Sequence, residues 1–220
     1  MKKKVNLMVV ALLVSTLLGT VEVTKAEMVT INSGVDAITF LKATGSSFDH
    51  IFTEFDFSSA RVGQSAYIVP SYLITGWIPD GVSTSPDALW INCNEAYAAG
   101  SALYAIPFSL TETQNVNLDF RWAIDNGLGD PINSGLFVNG TAISGKNSAS
   151  PAEFVSVHQL LNIDITPYVV PGSNYLYVYQ YDFGGVSGSQ FTAVVTAIPE
   201  PATLLLLGLG SLALRRRRRA

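Results

Sequence analysis

Short runs in which every second residue is apolar recur along the chain, and they constrain its fold more than any other feature. Val116-Asn117-Leu118-Asp119-Phe120-Arg121-Trp122 alternates strictly. Gly135-Leu136-Phe137-Val138-Asn139 and Tyr175-Leu176-Tyr177-Val178-Tyr179-Gln180-Tyr181 share its β-branched and aromatic content. A period of two places successive side chains on opposite sides of an extended chain, so each run reads as a half-buried strand. Gly, Pro, Asn and Asp punctuate the runs, and no stretch shows the periodicity of a long amphipathic helix. Many such strands with turn residues between them predict an all-β sandwich. Residues 38–41 and 48–57 are less regular but read as strand as well.

The two ends have a different character. Lys2, Lys3 and Lys4 precede a run that is apolar from Val5 to Gly19 apart from Asn6, Ser15 and Thr16. Thr24-Lys25-Ala26 then stands before Glu27, so residues 1–26 have the layout of a cleaved secretory signal peptide. At the other end, Pro199-Glu200-Pro201 is followed by the uncharged residues 202–214 and by Arg215, Arg216, Arg217, Arg218 and Arg219. Two prolines around a glutamate break a preceding strand and leave an extended, accessible unit. A bilayer explains the rest: apolar residues enter the hydrocarbon, and the arginines stay on the cytoplasmic side. As a helix, residues 202–214 rise only about 20 Å against a hydrocarbon core of roughly 30 Å, which makes a marginal anchor. Starting at Ile198 and letting the arginines snorkel narrows the gap. Residues 27–198 are left as the expected ectodomain.

The order of Pro-Glu-Pro, Leu-rich and Arg-rich parts over residues 199–220 resembles the PEP-CTERM sorting signal of exported bacterial proteins. The resemblance implies that an exosortase recognises Pro199, Glu200 and Pro201. It also implies that Arg215 to Arg219 stop the chain in the inner membrane with the C-terminus cytoplasmic, and that the product reaches the cell surface or extracellular space. Proteins with this signal are associated with exopolysaccharide and biofilm.

Setting the ends aside changes the electrostatics. Residues 27–198 keep four of the 13 basic residues (Lys42, Arg61, Arg121 and Lys146) and 15 of the 17 acidic ones, a formal charge of −11. Such a body does not attract phosphate backbones, which excludes nucleic acid as the expected partner. Cys93 is the only cysteine, so no internal disulfide framework exists and a buried free thiol is expected.

Several local motifs follow one another in order. Trp122-Ala123-Ile124-Asp125-Asn126 ends a strand, and Val138-Asn139-Gly140, Asp164-Ile165-Thr166 and Gly172-Ser173-Asn174 come after it. Asn139-Gly140 suits a hairpin turn, Asp164 suits a carboxylate cap, and Gly172 with Asn174 shapes the start of the next strand. Their order over residues 77–197 resembles the galactose-binding-like jelly roll found in lectins and carbohydrate-binding modules. The resemblance implies a sandwich of jelly-roll type, usually non-catalytic, with a ligand held by loops at one end.

Sugar binding needs an aromatic face for C–H stacking with polar side chains around it. Trp77, Trp90, Tyr181 and Phe183, with Asp125, Asn126 and Asp182, are the candidates; for each aromatic, core packing is the competing role. Trp122, inside an alternating strand, is expected in the core. Asp125-Asn126-Gly127-Leu128-Gly129-Asp130 groups oxygen donors around two glycines, which makes Asp125 and Asp130 candidate Ca2+ ligands. It lacks the spacing and terminal glutamate of a helix–loop–helix calcium site, and a polar turn is the alternative. No metalloprotease, nucleophile-elbow or phosphate-loop motif occurs. The sequence therefore reads as a non-enzymatic surface or matrix protein. A dedicated lectin-like module is the alternative, and a glycan-acting hydrolase comes third.

Overall fold

Alternation along the longest strands sets the architecture. The computed structural model describes residues 25–70, 75–80, 87–143, 148–149 and 153–198. The signal peptide, the Pro-Glu-Pro unit, the apolar tail and its arginines lie outside them. Within β7 (Val116–Asp125), Val116, Leu118, Phe120, Trp122 and Ile124 point inward, and Asn117, Asp119 and Arg121 point outward. The inward set is fully buried.

The remaining elements, in chain order, are β1 (Glu27–Asn32), β2 (Thr39–Lys42), α1 (Glu54–Arg61), β3 (Gln64–Ser65), β4 (Tyr67–Ile68), β5 (Ile91–Asn92) and β6 (Ala102–Leu110). After β7 come β8 (Gly127–Leu128), β9 (Leu136–Val138), β10 (Thr141–Ala142), β11 (Ser148–Ala149), β12 (His158–Asp164), a 3-10 turn at Thr166–Tyr168, β13 (Gly172–Tyr181) and β14 (Gly188–Ala197). Two antiparallel sheets result. The first runs β12-β7-β14-β5-β4, with β1 also beside β14. The second runs β10-β9-β13-β6-β2-β3, with β8 beside β13 and β11 beyond it. Glu27–Ile198 forms one compact unit.

Register explains the central core. In the first sheet Leu160 pairs with Phe120, Phe120 with Ala193 and Ala193 with Ile31, a continuous apolar row across four strands. In the second, Leu136 pairs with Val178, Val178 with Tyr104 and Tyr104 with Phe40. These rows face one another across a shared cluster, the interior of a β-sandwich. The turn chemistry follows the motifs: Asn139 and Gly140 adopt φ of 50° and 84° between β9 and β10, the geometry a two-residue hairpin demands. Asp164 Oδ1 accepts the Thr166 amide at 2.9 Å. Asn174 donates to the carbonyls of Val170 and Gly172 and accepts from Asn139.

Two expectations need correction. The Tyr-rich strand β13 is buried on both faces rather than one. Its outward Tyr177 and Tyr179, with Phe137 beside Tyr177 on β9, pack under Phe48, Phe52 and Phe57 in a second core layer. Residues 54–57, the end of the stretch 48–57 read as strand, instead open α1. Asp56 accepts from the backbone and hydroxyl of Thr53 at 2.7 Å, closing a capping box, while Phe57 and Ala60 face the sheet. Eight residues are too few for helical periodicity to stand out in sequence. Among the described residues no helix is long and apolar enough to cross a membrane.

Candidate functional site

Where β7 ends and β14 begins, the sandwich closes on a polar cluster that contains most of the predicted ligand residues. Asp125 is the last residue of β7 and is buried. Its Oδ2 accepts the indole N–H of Trp77 at 2.8 Å, and its Oδ1 accepts the Asn126 amide at 2.8 Å. Burial pushes the Asp125 carboxyl up to about 6; the Trp77 bond opposes this and the nearby Asp182 charge adds to it. The Trp77 ring stacks on Trp90 at 4.1 Å and rests on Gly188, where a Cβ would come within 2.4 Å of the indole. Only glycine leaves room for this packing, because Gly188 pairs with Asp125 in the ladder.

Asn126 and Asp182 tie the adjoining loops together. Asn126 donates its amide N–H to the Tyr181 carbonyl and accepts the Phe183 amide on Oδ1 at 2.8 Å. Asp182 accepts the amides of Gly100 at 2.6 Å and Gly184 at 2.9 Å, and its own N–H donates to Ser101 Oγ. Burial raises its carboxyl above the usual range, against the effect of those two amide bonds. Beneath it, Gln180 accepts from the Tyr104 and Ser189 hydroxyls and donates to Ser187 and to the Gly100 carbonyl. These satisfied, buried polar groups hold the loop end in one arrangement.

The candidates therefore divide. Trp90 is fully buried and Trp77 nearly so; both pack with Val69 and Ala123 and offer no open face to a sugar. Asp125 and Asp182 are buried acceptors. Tyr181 is partly exposed and Phe183 is 52% exposed, their rings edge to face at 4.8 Å. Those two form an aromatic pair at the surface of this end. Trp122 lies in the core, as expected.

Asp125 and Asp130 act in separate places. Asp130 accepts the amides of Ile132 and Asn133 on Oδ1 and the Tyr179 hydroxyl on Oδ2, all within 2.8 Å. That is a polar turn locked against the outer aromatic layer, with Gly129 at φ 82° making the bend. Among the described residues no three acidic, histidine or cysteine side chains gather as a cation site.

A second feature drew no sequence motif. A groove of about 370 Å³ opens where the chain passes from β3 in one sheet to β4 in the other, lined by Phe40, Lys42, Gln64, Tyr67, Asn94 and Glu95 among others. Lys42 donates through Nζ to Asn94 Oδ1. Cys93 borders the groove as a free, buried thiol that burial pushes up to about 11, with Lys42 acting in the opposite sense. The only hint in sequence was that Lys42 is one of four cations in the body. Gln64 and Tyr67 lie more than twenty positions from Lys42, and Asn94 and Glu95 more than fifty, so no local pattern reports the groove.

A comparison with curated proteins returns no match. A comparison with protein families matches residues 197–219 to the PEP-CTERM protein-sorting motif. The match begins at Ala197, the last residue of β14, so the motif starts where the sandwich ends. This chain carries the signal of an exported protein sorted by an exosortase.

Proposed function

We propose that this protein is a non-enzymatic component of the cell surface or extracellular matrix. In this reading it is exported across the inner membrane, held there by its C-terminal segment, processed at Pro199-Glu200-Pro201 and released to contact exopolysaccharide. The observation that carries the reading is the sorting motif at residues 197–219. The sandwich is read as a jelly roll of galactose-binding-like type, supported by the turn and capping roles of Asn139-Gly140, Asp164 and Asn174. A binding role is favoured over catalysis because the loop-end carboxylates Asp125 and Asp182 are already engaged as acceptors for neighbouring indole and amide groups. A dedicated lectin is the second reading, favoured by the exposed Tyr181–Phe183 pair.

Fractionation of the producing cells tests the sorting half. Replacing Glu200 by Ala is expected to leave the full-length chain in the inner membrane and to deplete the surface and extracellular fractions. An unchanged distribution overturns it. Titrating the exported protein with the host's own exopolysaccharide, with and without calcium, tests the matrix half; saturable binding is expected, and none under either condition sinks it. A lectin site at the loop end predicts that Phe183→Ala abolishes that binding.

A further inference from the structure

We propose that the groove between the two sheet edges is a binding site for one carboxylated sugar unit of an acidic polysaccharide, with Lys42 as the partner of the carboxylate. The proposal rests on the matrix reading above and names the chemistry of the glycan. It starts from the topology. β3 belongs to one sheet and β4 to the other, and Ala66 alone separates them. The Ala66 amide is fixed to the Ile38 carbonyl at 2.9 Å, so the crossing is short and rigid. The groove lies at this crossing, lined from β2, β3, β4 and the segment just after β5. Its volume of about 370 Å³ is in the roughly 300–1,000 Å³ range of small-molecule sites.

The lining has the mixed character that saccharides require. Phe40 is buried, and its ring stands 6.5 Å from that of the half-buried Tyr67 at 51°. Phe40 thus backs Tyr67 from the core, and the half-buried Tyr67 ring is the apolar surface suited to sugar C–H groups. Gln64 and Asn94 add amides. Asn94 is itself locked, because its Nδ2 donates to the carbonyls of Ala98 and Ala99 at 3.1 and 2.8 Å. Its Oδ1 accepts from Lys42 and so positions the ammonium at the groove wall.

Charge selects among saccharides. Lys42 bonds a neutral amide and forms no ion pair with a carboxylate among the described residues. An ammonium has three donors, so two remain for a ligand. Elsewhere a body of charge −11 repels a polyanion. An acidic glycan is therefore admitted where a cation faces it. Glu95 on the same groove disfavours a second carboxylate and accepts hydroxyl groups instead. The buried Cys93 thiol, held neutral, leaves the Lys42 charge uncompensated from that side.

The test uses the full chain in mild detergent, titrated calorimetrically with a trimer of galacturonic acid and with a neutral galactose trimer. Saturable binding of the acidic trimer is expected, at least about tenfold tighter than the neutral one and weakening as salt is added. Lys42→Gln is expected to weaken the acidic trimer at least about tenfold and leave the neutral one unchanged, while Lys42→Arg restores most of the affinity. Lys42 is exposed, so these variants leave the core intact, and an unchanged thermal midpoint verifies that. Equal affinity for the two trimers, no saturable binding of the acidic one, or a silent Lys42→Gln overturns the assignment. If the host polysaccharide still binds while the acidic trimer does not, the groove proposal fails and the matrix reading stands. If the acidic trimer binds as expected but the host polysaccharide does not, the groove stands and the matrix reading fails.

Discussion

The two sheets of this sandwich turn very different outer faces away from the shared core. On the second sheet the outward row contains Phe137, Tyr177 and Ala105 in register, with Tyr179 opposite Leu103 on the next row. Residues 43–61 fold over it, and Phe48, Phe52 and Phe57 make mostly edge-to-face contacts with the rings below. On the first sheet the corresponding row reads Gln159, Arg121, Thr192 and Asn32, followed by Asp119, Val194 and Thr30. Among the described residues no second apolar cluster lies over those rows, although Asn32 and Thr192 are themselves buried. Toward the loop end, where Ala123 is the outward residue, Trp77 and Trp90 close over this sheet. Backbone pairing is alike in both sheets. What differs is the residue type at alternate positions, and that decides whether a third layer is built.

The largest consequence lies under α1. Phe52 touches the rings of Phe48, Phe57, Phe137 and Tyr179 at centroid distances of 4.9 to 6.0 Å. Truncating it leaves a cavity that four rigid rings cannot refill. Phe52→Ala is therefore expected to cost about 3–5 kcal/mol of stability, read from the shift in urea midpoint. A loss under about 1 kcal/mol would mean that the aromatic layer is a loose cover and not a second core.

A smaller effect, dependent on pH, is expected at the covered end of the first sheet. The Asp125 carboxyl titrates near 6 in the folded protein, above the roughly 3.9 of an unfolded chain. The native state thus holds a proton that the unfolded state releases. Stability from this group is fully present below about pH 4 and is lost as pH rises through the folded value. Chemical denaturation at pH 4.5 and 7.5 is expected to show a drop on the order of 2 kcal/mol from this source. In Asp125→Asn the drop shrinks to what Asp182 and the other groups contribute. Those groups are common to both proteins and cancel in the comparison. If the two proteins show the same pH dependence, the cluster is wetter than its geometry implies.

How much of this was readable beforehand follows the same division. The first sheet's strands alternate apolar and polar residues, so β7 could be placed and sided from Val116 to Trp122 alone. The turns at Asn139-Gly140 and Asp164 were legible because their geometry is local. The second sheet was harder. In β13 both alternate sets are apolar or aromatic, which hides the period and makes a doubly buried strand look like a half-buried one. Its cover, residues 43–61, has no pattern that names its target; Phe48, Phe52 and Phe57 acquire meaning only once Tyr177 and Tyr179 lie beneath them. Asp125 and Asn126, far in sequence from Asp182 and Phe183, come together with them at the loop end. Its exposure was not legible. Trp77 and Trp90 are turned inward by a stacking partner and by a glycine 111 positions after Trp77, contacts that no local window contains.

The smallest expected effect closes the comparison from the open side. Arg121 projects from the outer face of the first sheet, between Gln159 and Thr192, and its guanidinium reaches Gln159 at 3.5 Å. A contact that long, in water, adds little. Arg121→Gln keeps most of the aliphatic stem and removes the charge, so its stability is expected to stay within about 0.5 kcal/mol of the parent. It also raises the body's negative charge, and at low salt it is expected to slow capture of any acidic glycan slightly without changing how tightly the groove holds it. A loss of more than 2 kcal/mol would instead mean that this face is covered after all, and that the contrast between the two outer faces is one of partner rather than of residue type.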